Sequence, residues 1–214
     1  MAVEGVKRRQ GRPGANGPPV PGEAEVLARG MEAFAELGYD RASARELARR
    51  LGVSHNFIND RYGSKANFWR AVIDRTLAPD LAERQRLLDA DMDDADRIRV
   101  VIQHFYRTAA TTPLVGRLLF DEFGRESERL DHVFDNYVAP TLLLLAPALQ
   151  RLAAAGRIPP VPMDVLFFAV MGPVAGLVQL PLAGRLGRAV PADGQARTAE
   201  QLADLVVAGL LGRG

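Results

Sequence analysis

The sequence predicts an all-α protein of about nine helices, with a small three-helix domain near the N-terminus and a larger C-terminal helical bundle. Three observations predict it. From Glu23 onward, apolar residues recur at spacings of three and four, and Ser and Gly punctuate the chain as caps of short helices would. No run alternates polar and apolar residues as a strand would.

The first predicted helix covers about 23–37, with Leu27, Met31, Phe34 and Leu37 as its stripe and Gly38 placed to end it in a left-handed conformation. Ser43 followed by Glu46 is a capping-box pattern that opens a short second helix carrying Leu47, Ala48 and Leu51, closed by Gly52. Ser54 is placed to cap a third helix of about seven residues, with Val53 and Ile58 inward and Gly63 at its end. Ser64 caps a fourth, where Phe68, Trp69, Val72 and Ile73 recur up to about Leu77, before Ala78-Pro79. Further segments over about 80–90, 95–111, 114–123, 126–155, 163–180 and 196–211 read as helices, and Pro140 and Pro147 predict a kink or break in the longest.

The organisation that follows is a flexible basic arm over 1–22, a helix-turn-helix domain over 23–75 and a body over 76–214. The arm holds Lys7, Arg8, Arg9 and Arg12 among glycines and prolines, and no apolar run able to serve as a signal-peptide core, so the expected compartment is the cytoplasm. With no cysteine, the chain has no disulfide, no thiolate nucleophile and no Cys-ligated metal. Twenty-seven Lys+Arg against 26 Asp+Glu would argue against nucleic acid if the charge were evenly spread. Residues 1–75 hold 13 basic and 9 acidic side chains, a net of +4, whereas 76–214 hold 14 and 17, a net of −3. The dominance of Arg over Lys reads as the GC-rich codon usage of a bacterial genome.

The segment Ser43 to Tyr62 has the anatomy of a helix-turn-helix: a capped helix, a Gly-centred turn and a second short helix with a polar outer face. Ile58 faces inward, while His55, Asn56, Asn59 and Arg61 are left to meet base edges or phosphates. The run Gly38-Tyr39, Ala42-Ser43-Ala44-Arg45-Glu46-Leu47-Ala48, Leu51-Gly52-Val53-Ser54, Tyr62-Gly63-Ser64-Lys65 and Phe68 resembles the N-terminal domain of the TetR family of bacterial transcriptional regulators, over roughly residues 23–73.

That resemblance implies double-stranded DNA as the partner. It places Ser43, Ala44 and Arg45 at the start of the second helix, near backbone or a base edge, and Ser54, His55, Asn56 and Phe57 at the reading end of the recognition helix. Asn59, Arg61 and Tyr62 would add contacts, and Lys65 would meet a phosphate at the positive end of its helix. The chain departs from the family at Asn59, usually Tyr, and at Phe57, usually a small or hydroxyl residue. Asn59 is suited to a phosphate or an adenine and Phe57 to a thymine methyl, whereas Asp60 would repel phosphate unless it points away or pairs with Arg61.

In the body, Val165 to Gly184 is twenty residues without a charge, long enough to raise a membrane span. Gly172-Pro173, Gln179 and Pro181 interrupt it, so it reads better as a dimer-forming helix in which Ala175 and Gly176 allow close contact. Ala199, Leu202, Ala203, Val206 and Leu210 form a second apolar face on the last helix. The family implies a symmetric homodimer built on the last two long helices, with recognition helices roughly 34–36 Å apart. It also implies a pocket for a small apolar or aromatic effector, for which His104, Phe105, Phe120, Phe123, His132, Tyr137, Phe167, Phe168, Met171 and Gln179 are candidates. The residues by themselves read more simply as ordinary core packing with satisfied histidines.

The expected function is a ligand-responsive repressor on a palindromic operator; the alternative is a helical interaction protein of the same fold that has lost specific DNA binding. No enzyme is expected, since no nucleophile elbow or phosphate-cradling loop is present and Asp121-Glu122 reads as a solvated helix edge. No metal, cofactor or membrane partner is expected either, His104 and His132 lying 28 residues apart without a ligand motif.

Overall fold

In the computed structural model, residues 21–188 and 194–212 are described, and every regular element among them is helical. The predicted basic arm, with Lys7, Arg8, Arg9 and Arg12, lies almost wholly outside the described residues. The head contains α1 (Glu23–Leu37), α2 (Ala44–Leu51), α3 (Phe57–Tyr62) and the first half of α4 (Lys65–Leu88). The body adds α5 (Asp94–Thr111), α6 (Pro113–Phe123), α7 (Glu128–Val133), α8 (Ala139–Ala154), α9 (Met163–Met171), α10 (Ala175–Val178), α11 (Leu180–Arg185) and α12 (Gly194–Leu211).

Three predicted boundaries move, each for a backbone reason. The expected stop at Ala78-Pro79 does not occur, because α4 runs on to Leu88. Pro79 is exposed, so water can satisfy the carbonyl that proline leaves without its N–H partner. The helix therefore passes straight through the expected domain boundary at 75. Ahead of Pro140 the chain widens into a π turn over Phe134–Val138, where Ala139 N–H bonds Phe134 O, and this absorbs the ring that an α-helical turn would meet. Pro147, by contrast, stays inside α8. The predicted 163–180 helix breaks up: Gly172–Val174 tightens to a 3-10 turn, and Gln179 separates α10 from α11. The helical piece Met163–Val178 is thus shorter than a membrane span needs. Length and composition alone would allow Glu128–Ala154 to cross a membrane, but its buried face, with Val133, Ala148, Leu149 and Leu152, packs into the protein core.

Two apolar cores result. One gathers Phe34, Leu47, Leu51, Ile58, Phe68 and Trp69 of the head and extends to Val115, Leu118 and Tyr137 of the body. The other holds Ile98, Ile102, Tyr106, Leu149, Leu152, Leu177, Ala199 and Ala203. Ala199, Ala203 and Val207 are buried within the chain, where small side chains let α12 lie close on α5. A Cβ at Gly176 would stand 3.7 Å from Leu202 of the same chain, so this small residue also lies against α12.

Candidate nucleic-acid interface and ligand cavity

The turn between α2 and α3 is held by main chain. Gly52 takes φ 72° and ψ 32°, the left-handed conformation glycine adopts at no steric cost, and Val53 N–H returns to Ala48 O at 3.0 Å. From α1, Arg29 Nη1 donates to Leu51 O at 3.0 Å and closes the end of α2. Ser43 Oγ accepts from Glu46 N–H at 3.2 Å, the first half of the capping box. The second half is missing because the Glu46 carboxylate is taken by Arg49, at 2.6 Å, and by Arg50, at 2.9 Å. Hydrogen bonds from Arg49 and then Arg50 bring the Glu46 carboxyl down to about 2. Arg50 also reaches Glu36, tying α2 to α1. Arg45 is exposed and has no ion pair or hydrogen bond among the described residues, so of the cations in α2 it is the one left for phosphate.

Ile58, fully buried, roots α3 in the core. His55, Asn56, Asn59, Asp60 and Arg61 are all exposed. Three expectations change here. The side chain of Ser54 caps nothing: α3 begins at Phe57, and Ser54 contributes only its carbonyl, to Phe57 N–H at 3.0 Å. Phe57 is not free for a thymine methyl, because its ring lies 6.4 Å from Tyr62 and packs on the head core, while Tyr62 sits 4.8 Å from Phe68. Asp60 does not pair with Arg61, which reaches Glu23 at 3.3 Å instead. Lys65 donates to Tyr39 O at 2.9 Å and lies 4.0 Å over the Tyr39 ring, and burial lowers its ammonium below the ordinary value. Ser64 caps α4 through Asn67 N–H at 3.1 Å, as the sequence suggests.

In the body, α4, α5, α6, α8 and α9 surround a cavity of about 160 Å³ with largely aliphatic and aromatic walls. Of the candidate effector-pocket residues, Phe105, Phe123, Tyr137, Phe167 and Met171 line it. Five other candidates do not. Phe168 points outward and is 66% exposed, one position out of phase with Phe167 on a helix with one wet face. Gln179 is exposed at the break between α10 and α11. Phe120 packs against the second core. His104 and His132 sit behind the wall, holding carboxylates: His104 Nε2 lies 2.7 Å from Asp80, and His132 Nε2 lies 2.7 Å from Asp74.

The sequence reading missed Asp80 and Arg84, which line the cavity as an ion pair at 2.9 Å with side chains only 10% and 11% exposed. Placing a break at Pro79 hid them. Once α4 is continuous, Leu77, Leu81, Arg84 and Leu88 fall on one stripe, and a charge in an apolar stripe is the readable signal. Glu122, expected at a solvated edge, is buried, pairs with the Arg129 guanidinium at 2.9 Å and accepts from Ser127 Oγ at 3.2 Å. Arg129 in turn covers the Tyr39 ring at 3.8 Å, and Arg125 reaches Asp40 at 2.8 Å, so the loop after α1 rests on the body. Tyr137 makes a second link, its hydroxyl donating to Asp74 of α4 at 2.6 Å. Burial and the Asp74 carboxylate push that phenol well above its ordinary range.

Residues 26–72 match the family model described as bacterial regulatory proteins, tetR family. Nucleoid occlusion factor SlmA of Vibrio cholerae serotype O1 is 26% identical over 156 residues, covering 68% of this chain and 78% of that protein. Among solved structures, the TetR family transcriptional regulator PfmR from Thermus thermophilus superposes with a TM-score of 0.68 at 19% identity, covering 91% of this chain and 99% of that one. The transcriptional regulator FadR from Bacillus subtilis, solved in complex with stearoyl-CoA, gives a TM-score of 0.65 at 13% identity, over 87% and 98% of the two chains. Residues 26–72 thus match the N-terminal domain of the tetR family, and most of the chain shares the fold of solved regulators such as PfmR.

Proposed function

We propose that the chain is a ligand-responsive repressor that binds a palindromic operator as a cytoplasmic homodimer and is released by a small molecule held in the body. The observation that carries it is the α2–α3 face: Ile58 anchors the short helix while His55, Asn56 and Asn59 project to solvent beside the unpaired Arg45. Asn56 makes no capping bond with its side chain, which leaves its amide for a base edge. Arg61 and the N-terminus of α4 with Lys65 are the further phosphate contacts.

The dimer reading rests on surface chemistry. Every large hydrophobic residue exposed among the described residues lies at Leu114 or beyond, and Val165, Phe168, Leu182 and Leu205 belong to α9, α11 and α12. Apolar exposure on that scale favours a covering partner, and a second copy matches a two-fold operator. The effector reading rests on the cavity, and the bound ligand named for the FadR structure supports it by analogy of fold.

Fluorescence anisotropy with palindromes from the upstream region of the gene tests the proposal. Binding should weaken steeply as salt rises. Arg45→Ala should weaken all operator variants alike and reduce the salt slope by about 1, whereas Asn56→Ala should relax selectivity at one base position. Absence of specific binding at moderate salt would instead support an interaction protein of the same fold, which the exposed carboxylate of Asp60 on the reading face favours.

A further inference from the structure

We propose that the cavity takes a monocarboxylate with a compact apolar body, and that Arg84 receives the carboxylate. The inference rests on the reading of the body as an effector site and adds the chemical class of the effector.

It follows from the hydrogen-bonding capacity of the cavity's polar groups. Tyr137 has given its proton to Asp74, and Thr141 has given its own to Tyr137 O at 2.6 Å. The carboxylate oxygens of Asp80 are occupied: Oδ1 faces His104 at 2.7 Å and accepts from Thr108 at 3.1 Å, while Oδ2 faces Arg84 Nη2 at 2.9 Å. Arg84 is different. Its side chain is 11% exposed, and its bonds to Asp80 use Nη2 and Nε, leaving Nη1 with no partner among the described residues. A guanidinium has five N–H donors, so the wall of an otherwise apolar chamber carries donors in excess and no free carboxylate. Its complement is an acceptor with negative charge, not a cation or a donor-rich head.

Burial lowers the Arg84 guanidinium and Asp80 raises it, and an incoming anion would act in the same sense as Asp80. Size limits the rest of the ligand. A cavity of about 150 Å³ lined by Leu, Ile and Phe holds benzene, and this one measures about 160 Å³. An aryl or short branched group on a two- or three-atom stem fits both ends.

The test is isothermal titration of the full chain with three probes of one shape: 3-phenylpropanoate, 3-phenylpropan-1-ol and 3-phenylpropylamine. The carboxylate should bind at least about tenfold tighter than either analogue, the difference a charged hydrogen bond supplies. Arg84→Met should remove that preference. Because it strands Asp80, the double variant Asp80→Asn with Arg84→Met provides a neutral control, in which the carboxylate should fall to the affinity of the alcohol while the alcohol is unchanged. Equal binding of carboxylate and alcohol to the native chain, preference for the amine, or a carboxylate affinity that survives the double variant would overturn the proposal and leave the effector reading standing. Failure of all three probes to bind would overturn the carboxylate assignment and remove the support for a ligand in this cavity.

Discussion

In the head, Phe34, Leu47, Leu51, Ile58, Phe68 and Trp69 are each 0% exposed, and Gly30 lets α1 lie so close on α4 that a Cβ there would stand 2.6 Å from Phe68 and 2.8 Å from Val72. In the body, apolar side chains surround a cavity of about 160 Å³ and others, such as Leu143 and Leu205, face outward. The same kinds of residues are packed without slack in one region and left incomplete in the other. A part that must present side chains to DNA in one fixed geometry gains from a core with a single arrangement. On the proposed function, a part that takes up a ligand and a second copy needs apolar surface still to be covered.

The sharpest way to break that contrast is to add one carbon to each region. Gly30→Ala should destabilise the chain by about 1–3 kcal/mol, because two buried side chains must move. Val101→Leu, which grows into the cavity, should change stability by less than about 1 kcal/mol and weaken ligand binding. Urea unfolding of both variants checks this, and equal costs would mean the cavity has no room to give.

A smaller effect tests whether the two regions communicate. Tyr137→Phe removes the bond to Asp74, worth about 1.5–3 kcal/mol at most for a charged acceptor and less here because Asp74 is part exposed and also bonded to His132. Ligand affinity should be retained while the ligand's power to release DNA falls, read by anisotropy with and without a saturating ligand. Full release by the variant would move the coupling elsewhere.

The smallest expected effect is confined to the head. The Glu46 carboxyl lies at about 2 in the folded chain, below its usual 4.5, so its contribution is complete above that usual value and is lost as pH falls towards 2. The melting temperature of Glu46→Gln should therefore lie slightly below that of the native chain at pH 7, with the gap closing across that window. A gap independent of pH would mean the arginine pairs do not order α2.

The contrast also explains what was legible in the sequence. Head elements follow local rules: Ser43, Gly52, Gly63 and Ser64 each act where the chain places them, so α1–α3 and the start of α4 could be read directly. Ser54 misled because a hydroxyl two residues early looks like a cap in one dimension. In the body, boundaries depended on whether a proline faced water, as Pro79 does, or met a turn that could widen, as Pro140 does, and burial is not local information. Cavity residues from helices far apart in sequence were half legible. Phe105, Phe123, Tyr137, Phe167 and Met171 declared themselves by size, whereas Asp80 and Arg84 became interpretable only when α4 was continuous.

That continuity has a mechanical meaning. From Lys65 to Arg84, α4 is one rod reaching from the helix-turn-helix to the cavity wall, and at 1.5 Å per residue it measures roughly 28 Å. A tilt of about 5° set by what occupies the cavity would displace the far tip by roughly 2.5 Å, on the scale of a hydrogen bond to a base. In a two-fold dimer the two tips would move in opposite senses, so the span between the reading heads would change by up to about twice that amount. A ligand of benzene size would thereby be measured against the pitch of DNA.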